Sequence, residues 1–241
     1  MEIIKNNPYR IAGILSSTTE RELQRQKGRI TAHARVGQET ESDLDFQFLP
    51  VISRKEIDVV NKAFSNIEQN QDKVNYTLFW FLNASPFDNT AIEYLKNGDE
   101  DKALEIWEKV TTDKDVNSKN FSAFNNLGTY KLLSIDKSDI KTGIEAKIKL
   151  IESEYFESFV HSVADETFTI DNQKQTEKLI DELPIVGVIL RPAVEIILII
   201  CPESCCLKME IAAAIPYKVP FKLVAIISSH PSTSSSSNRL N

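Results

Sequence analysis

An all-α fold is predicted, built largely from antiparallel helical hairpins and followed by an anomalous C-terminal tail. Three observations predict it. Apolar residues recur at three- and four-residue spacing, as in Ile57, Val60, Phe64 and Ile67. Helix start and stop signals punctuate that pattern, among them Ser16-Ser17-Thr18-Thr19 and Asn97-Gly98-Asp99. The balance of 41% hydrophobic and 26% charged residues over 241 positions supports one or two folded domains. With 28 basic and 35 acidic residues the net charge is −7, which removes the attraction that a phosphate backbone supplies and disfavours nucleic acid as a partner.

The first element is a short helix within Asn7–Ile14, where Pro8 suits a first turn and Tyr9, Ile11 and Ile14 are packing residues. Ser17 and Thr19 each stand three residues before a glutamate, Glu20 and Glu22, the spacing of a capping box. The helix that starts there runs through Leu23, Ile30 and Ala34, carries Arg21, Arg25, Lys27, Arg29 and Arg35, and stops near Gly37. It is basic in an acidic chain. Arg25 and Arg29, four residues apart on one face, are candidate partner-binding residues. A loop to Pro50 precedes the helix of Ile57–Ile67, in which Ala63 permits a close approach. Asp72–Asn83 contains Phe79-Trp80-Phe81 and is too apolar to be exposed, so it caps the core.

Asp88 is expected to cap a helix through Ala91, Tyr94 and Leu95, which turns at Asn97-Gly98-Asp99 into a second helix through Ala103, Leu104, Trp107 and Val110. A further helix over Ser118–Leu133 contains Asn126-Leu127-Gly128, and another follows along Ile140, Ile144, Ile148 and Ile151. Glu157, His161 and Asp165 recur every four residues on a helix placed near 150–166. That face would hold a divalent metal in an alternative reading as a helical metal-dependent enzyme, although no second helix supplies a matching pair. Asp171–Leu183 reads as an amphipathic helix ended by Pro184.

Composition changes at that proline. Charged residues number 55 of 183 in residues 1–183 and 8 of 58 in residues 184–241, and the second stretch holds all three cysteines and six of the nine prolines. The run Ile185–Ile200 is sixteen residues, short of the roughly 20 that span a bilayer, and Arg191 and Glu195 interrupt it. A membrane-tethered adaptor is thus an alternative and a membrane partner is disfavoured. The leading expectation for 184–241 is an apolar, Ser-rich tail of frame-shifted or non-native origin. Cys201, Cys205 and Cys206 have neither disulfide-scaffold nor zinc-finger spacing. Met1–Tyr9 lacks the pattern of a secretory signal, so the expected location is the cytoplasm. Neither His33 nor the seven glycines build a nucleophile or phosphate-binding motif, and the expectation is no enzyme and no cofactor.

Pro8-Tyr9-Arg10-Ile11-Ala12-Gly13-Ile14, the capped basic helix, and Lys62-Ala63-Phe64-Ser65-Asn66-Ile67 followed by Asp72-Lys73-Val74-Asn75-Tyr76 resemble the J-domain co-chaperone family over about a third of the chain. The Asn-Pro-Tyr-Arg-Ile opening and the Phe79-Trp80-Phe81 run are similar to a group of bacterial J-like proteins that lend no known activity. In the co-chaperone family a His-Pro-Asp triplet after the second helix is needed to stimulate the ATPase of a heat-shock chaperone. Here that stretch reads Arg35-Val36-Gly37, and the sole His-Pro pair, His230-Pro231, lies in the tail and is followed by Ser232. The resemblance therefore implies the scaffold and a weak chaperone link without ATPase stimulation.

Ala91, Tyr94, Gly98, Ala103 and Trp107 resemble the small and aromatic positions of a tetratricopeptide repeat, with Gly128 in a second unit. Such hairpins bind peptides or protein surfaces along a groove, to which Asn125, Asn126 and Lys131 are assigned as candidate contacts. The expected organisation is a J-like module over 1–83, tetratricopeptide-like hairpins over 84–183 and the tail over 184–241. The expected role is a non-catalytic, co-chaperone-like intracellular adaptor for a protein or peptide partner.

Overall fold

The computed structural model describes Met1–Leu183 and two short strands, Val188–Leu190 and Leu223–Ala225. By internal contacts the chain divides into two units, Met1–Leu183 and Pro184–Asn241. The apolar run, the cysteines and His230-Pro231 otherwise lie outside the described residues. In the second unit the strands β1 (Val188–Leu190) and β2 (Leu223–Ala225) pair antiparallel, with Ile189 opposite Val224. Both strands lie within the tail that the all-α expectation sets apart. The β-branched and aliphatic triplets Val-Ile-Leu and Leu-Val-Ala suit a pleated backbone.

The first unit is entirely helical in its regular structure. A single turn, α1 (Glu2–Lys5), leads to α2 (Pro8–Ile11), where the Asn7 side chain accepts from the Tyr9 N–H at 3.0 Å and Pro8 occupies the first turn. The next helix, α3 (Glu20–Arg35), has a complete capping box between Thr19 and Glu22, so of the two expected pairs Thr19–Glu22 forms the cap. The Ser17 hydroxyl instead accepts from the Asn83 N–H at 3.2 Å. Gly37 follows in the left-handed region at φ +66°, where a side chain is disfavoured, and ends the helix as expected. Across a 21-residue connection, α4 (Ile57–Ser65) packs on α3 and buries Val60, Ala63 and Phe64.

The chain does not continue as one helix over Asp72–Asn83. Instead α5 (Asn70–Thr77) stops, and Leu78–Leu82 passes through the core as a turn and an extended segment with every side chain at most 2% exposed. Burial on all sides leaves no water for its backbone, so its polar groups find protein partners. The Trp80 indole donates to Ile14 O at 2.8 Å, while Asn125 Nδ2 donates to Thr77 O and Trp80 O. The Asn126 amide brackets Leu82, accepting from its N–H at 2.8 Å and donating to its carbonyl at 2.7 Å.

Two helical hairpins follow. The first is α6 (Pro86–Lys96) and α7 (Glu100–Thr111), turned at Gly98 with φ +78°. Its N-cap is Ser85 and not Asp88, because the proline at 86 sets the first turn and places Asp88 three residues after the cap. The second is α8 (Phe121–Lys131) and α9 (Lys137–Glu152), which cross where Gly128 meets Gly143. A Cβ on Gly128 would lie 3.0 Å from the Gly143 carbonyl, so this approach needs glycine. The chain ends its helical unit with α10 (Phe156–His161) and α11 (Asn172–Glu182).

The expected division at 83/84 does not separate two units. Asn125 and Asn126 of α8 bond to residues 77–82, and Gln175 of α11 bonds to Gln71 and Asn75 of α5. Hydrogen bonds and core side chains therefore cross the position where a boundary was placed.

Candidate interaction surface

On α3 only Ile30 and Ala34 are buried. Successive residues turn by about 100°, so Arg21, Arg25, Arg29 and Arg35 fall within an arc of about 120° on the side away from those two. All four are exposed, Gly28 and Ala32 lie between them, and the arc contains no acid. With a rise of about 1.5 Å per residue, the stripe is about 21 Å long. None of the ion pairs among the described residues involves these arginines. Arg29 makes one long contact, 3.5 Å to Glu41 O. Lys27, off the stripe, pairs with Glu68 at 3.7 Å and lies over the Phe64 ring.

The other three expected contact residues sit differently. Asn125 and Asn126 are wholly buried and spend their amides on the 77–82 backbone, so neither lines an open groove. Glycines at the α8–α9 crossing draw the helices together over this part of α8. Lys131 joins three helices by ion pairs to Glu108 at 3.2 Å and Asp139 at 2.9 Å. Its ammonium is already committed to two carboxylates, which hold its pKa up against burial.

Behind Asn125 and Asn126 lie two buried ionisable groups that sequence patterns did not single out as such. Asp88 accepts from Ala84 N–H (3.2 Å), Ser85 Oγ (2.7 Å), Trp107 Nε1 (3.2 Å), Ser122 Oγ (2.5 Å) and Asn126 Nδ2 (2.8 Å). Burial pushes its carboxyl above the ordinary range, and the donors only partly oppose this. Lys147, also fully buried, donates to Asn125 O and Asn125 Oδ1 at 2.6 Å and to Thr129 Oγ at 2.7 Å. No carboxylate pairs with it among the described residues, and burial drives its ammonium well below the lysine range. The Thr129 hydroxyl donates to Asn125 O at 3.0 Å and accepts from Lys147, so all three partners of the Lys147 nitrogen are oxygen acceptors. Both groups are fully buried, and their hydrogen bonds tie neighbouring helices together. Lys147 was legible in part, because it stands between Ile144 and Ile151 on the stripe that faces α8, whereas Ile148 is only half-buried.

Arg54 is a third internal charge. It chelates Asp45 through both carboxylate oxygens (2.6 and 2.8 Å) and donates to Arg10 O, Ile11 O and Thr40 O. Two of those carbonyls end α2, so the guanidinium caps that helix and pins the 36–56 connection to it. Arg10 of α2 donates to Lys5 O at the end of α1 and to Pro50 O, tying the same connection to both short helices.

The metal reading loses its geometry. The helix ends at His161, so Asp165 is not on the shared helical face; it accepts from Asn70 Nδ2 at 2.7 Å, and the His161 ring contacts Phe168 O at 3.2 Å. Among the described residues no group of three His, Cys, Asp or Glu is placed to hold a metal, and no helix is long and apolar enough to cross a membrane.

No protein-family model, curated protein or solved structure matches the chain.

Proposed function

We propose that the chain is a non-catalytic intracellular adaptor whose docking surface for an acidic protein segment is the arginine stripe of α3. The stripe itself carries this reading: Arg21, Arg25, Arg29 and Arg35 are exposed and lack carboxylate partners among the described residues, in a chain of net charge −7. An acidic protein that leaves guanidiniums unpaired on one helix has a local surface opposite in sign to its overall field, which favours a carboxylate-bearing partner held in one orientation. Guanidinium forks match carboxylates in pairs. The net charge and the absence of aromatic residues within the stripe weigh against nucleic acid.

The J-like and tetratricopeptide-like resemblances agree with an adaptor. The missing His-Pro-Asp triplet separates docking from chaperone stimulation, so the role is co-chaperone-like in scaffold alone. The test is affinity capture from cell extract with the full chain and with R25E/R29E. A discrete partner recovered by the wild type and reduced at least tenfold by R25E/R29E, with helical content unchanged, is the expected result; equal recovery refutes the reading. Addition of the chain to a heat-shock chaperone leaves its ATPase at the basal rate, and stimulation refutes the non-stimulating assignment.

A further inference from the structure

Ser42–Pro50, in the connection between α3 and α4, is fastened to the helices by side chains alone. Its backbone–backbone hydrogen bonds are internal: Asp45 N–H to Ser42 O at 2.9 Å and Leu49 N–H to Phe46 O at 3.0 Å. Phe46 and Phe48 project to one side and stack on each other with centroids 5.3 Å apart. Phe46 meets Phe81 edge-on at 5.3 Å and lies 6.1 Å from Trp80, while Phe48 meets Tyr130 of α8 at 5.4 Å. The Gln47 side chain passes over the α6–α7 turn, 3.2 Å from where a Cβ on Gly98 would stand. Asp45 is clasped by the Arg54 guanidinium, and Ser42 Oγ donates to Gly13 O at 2.9 Å.

These are features of a bound peptide more than of a helical core. Phe46 is buried as an aromatic anchor with Phe48 half-buried against it, a carboxylate is read bidentately, and Asp45 and Gln47 on either side of Phe46 remain exposed. The cleft that receives them is built from Phe79–Leu82 and the hairpins. We propose that residues 42–50 are a resident ligand, and that the cleft of Trp80, Phe81, Tyr130 and Arg54 recognises acidic–aromatic peptides of the pattern Asp-Phe-x-Phe-Leu, here Asp45-Phe46-Gln47-Phe48-Leu49. In the wild type the resident segment fills this cleft at the high effective concentration of a tethered ligand. This inference does not depend on the α3 stripe.

The test adds a fluorescent peptide with the sequence of residues 41–51 to the full chain and to its Phe46→Ala and Phe48→Ala variants. Saturable binding to F46A at least tenfold stronger than to the wild type, lost when both phenylalanines of the peptide are alanine, is expected. The peptide also raises the thermal midpoint of F46A and leaves that of the wild type unchanged. Should F46A not fold alone, recovery of helical signal on refolding with the peptide supports the inference. Absence of both binding to F48A and recovery of F46A overturns it, as does equal binding to the wild type and the variants.

Discussion

Asp88→Ala removes one carboxylate on which five donors converge. The Ser85 and Ser122 hydroxyls can rotate to other acceptors, and a serine within a helix can reach the carbonyl four residues back. Ala84 N–H and Trp107 Nε1 cannot, and Asn126 Nδ2 keeps only its bond to Leu82 O. Each donor left unsatisfied in the interior costs about 1–3 kcal/mol. Relief of the desolvation of the carboxylate offsets part of the sum, and a net loss of about 3–5 kcal/mol is expected. Against the roughly 5–15 kcal/mol that holds a typical domain folded, this is a large fraction. Urea denaturation followed by both circular dichroism and tryptophan emission measures it, since Trp107 reports from within the network. Asn126→Ala should be costly alone but less than additive with D88A, because the two share a bond. A loss below about 1 kcal/mol for D88A, or full additivity in the cycle, would refute the assignment of Asp88 as the node joining α6, α7 and α8.

The buried lysine gives a pH signature. Its amine is depressed in the folded chain and ordinary, about 10.4, in the unfolded one, so the unfolded state binds more protons between those values. Wild-type stability relative to K147M should therefore rise with pH across that window and fall as pH is lowered through it; parallel urea midpoints for the two proteins count against the buried-amine account. Asp88 has the opposite sign of slope: its raised folded value means that stability relative to D88N increases as pH falls toward about 3.9, measured in the same way. Gly128→Ala places a Cβ 2.9 Å from Lys147 Cε and 3.0 Å from the Gly143 carbonyl, and should cost about 1–3 kcal/mol in chemical denaturation, whereas the unobstructed Gly28→Ala should not destabilise. Arg54→Lys keeps the charge but loses the bidentate clasp on Asp45, so the 36–56 connection should become more susceptible to limited proteolysis while the hairpin helices stay protected.

Elements whose signals are local were readable from the sequence. The Thr19–Glu22 box, the Gly37 stop and the Asn97-Gly98 turn depend on residues within a few positions of one another, and the structure places each as expected. Signals that depend on distant parts of the chain were not readable. The apolar stretch 72–83 is buried as its composition implies, but that its second half is an extended core segment depends on distant side chains, above all Asn125 and Asn126, that satisfy its backbone. The four-residue spacing of Glu157, His161 and Asp165 implied a common face, which exists only if the helix persists beyond His161. For the candidate surface, Arg25 and Arg29 were legible because a solvent-facing stripe needs no partner to define it. Asn125 and Asn126 were placed at a groove because polar residues default to the outside, and only their long-range bonds reverse that.

By itself the sequence determined an all-helical first unit, most of its helix ends and a basic face on an acidic chain, since capping, periodicity and charge act over one or two turns. The tertiary structure alone decided that the 77–82 backbone would be satisfied by asparagines more than forty residues away, that Asp88 and Lys147 would be interior, and that residues 42–50 would lie against the hairpins. Hydrogen bonding in a water-free interior is set by whatever the fold brings within about 3 Å, and that proximity has no trace in local sequence.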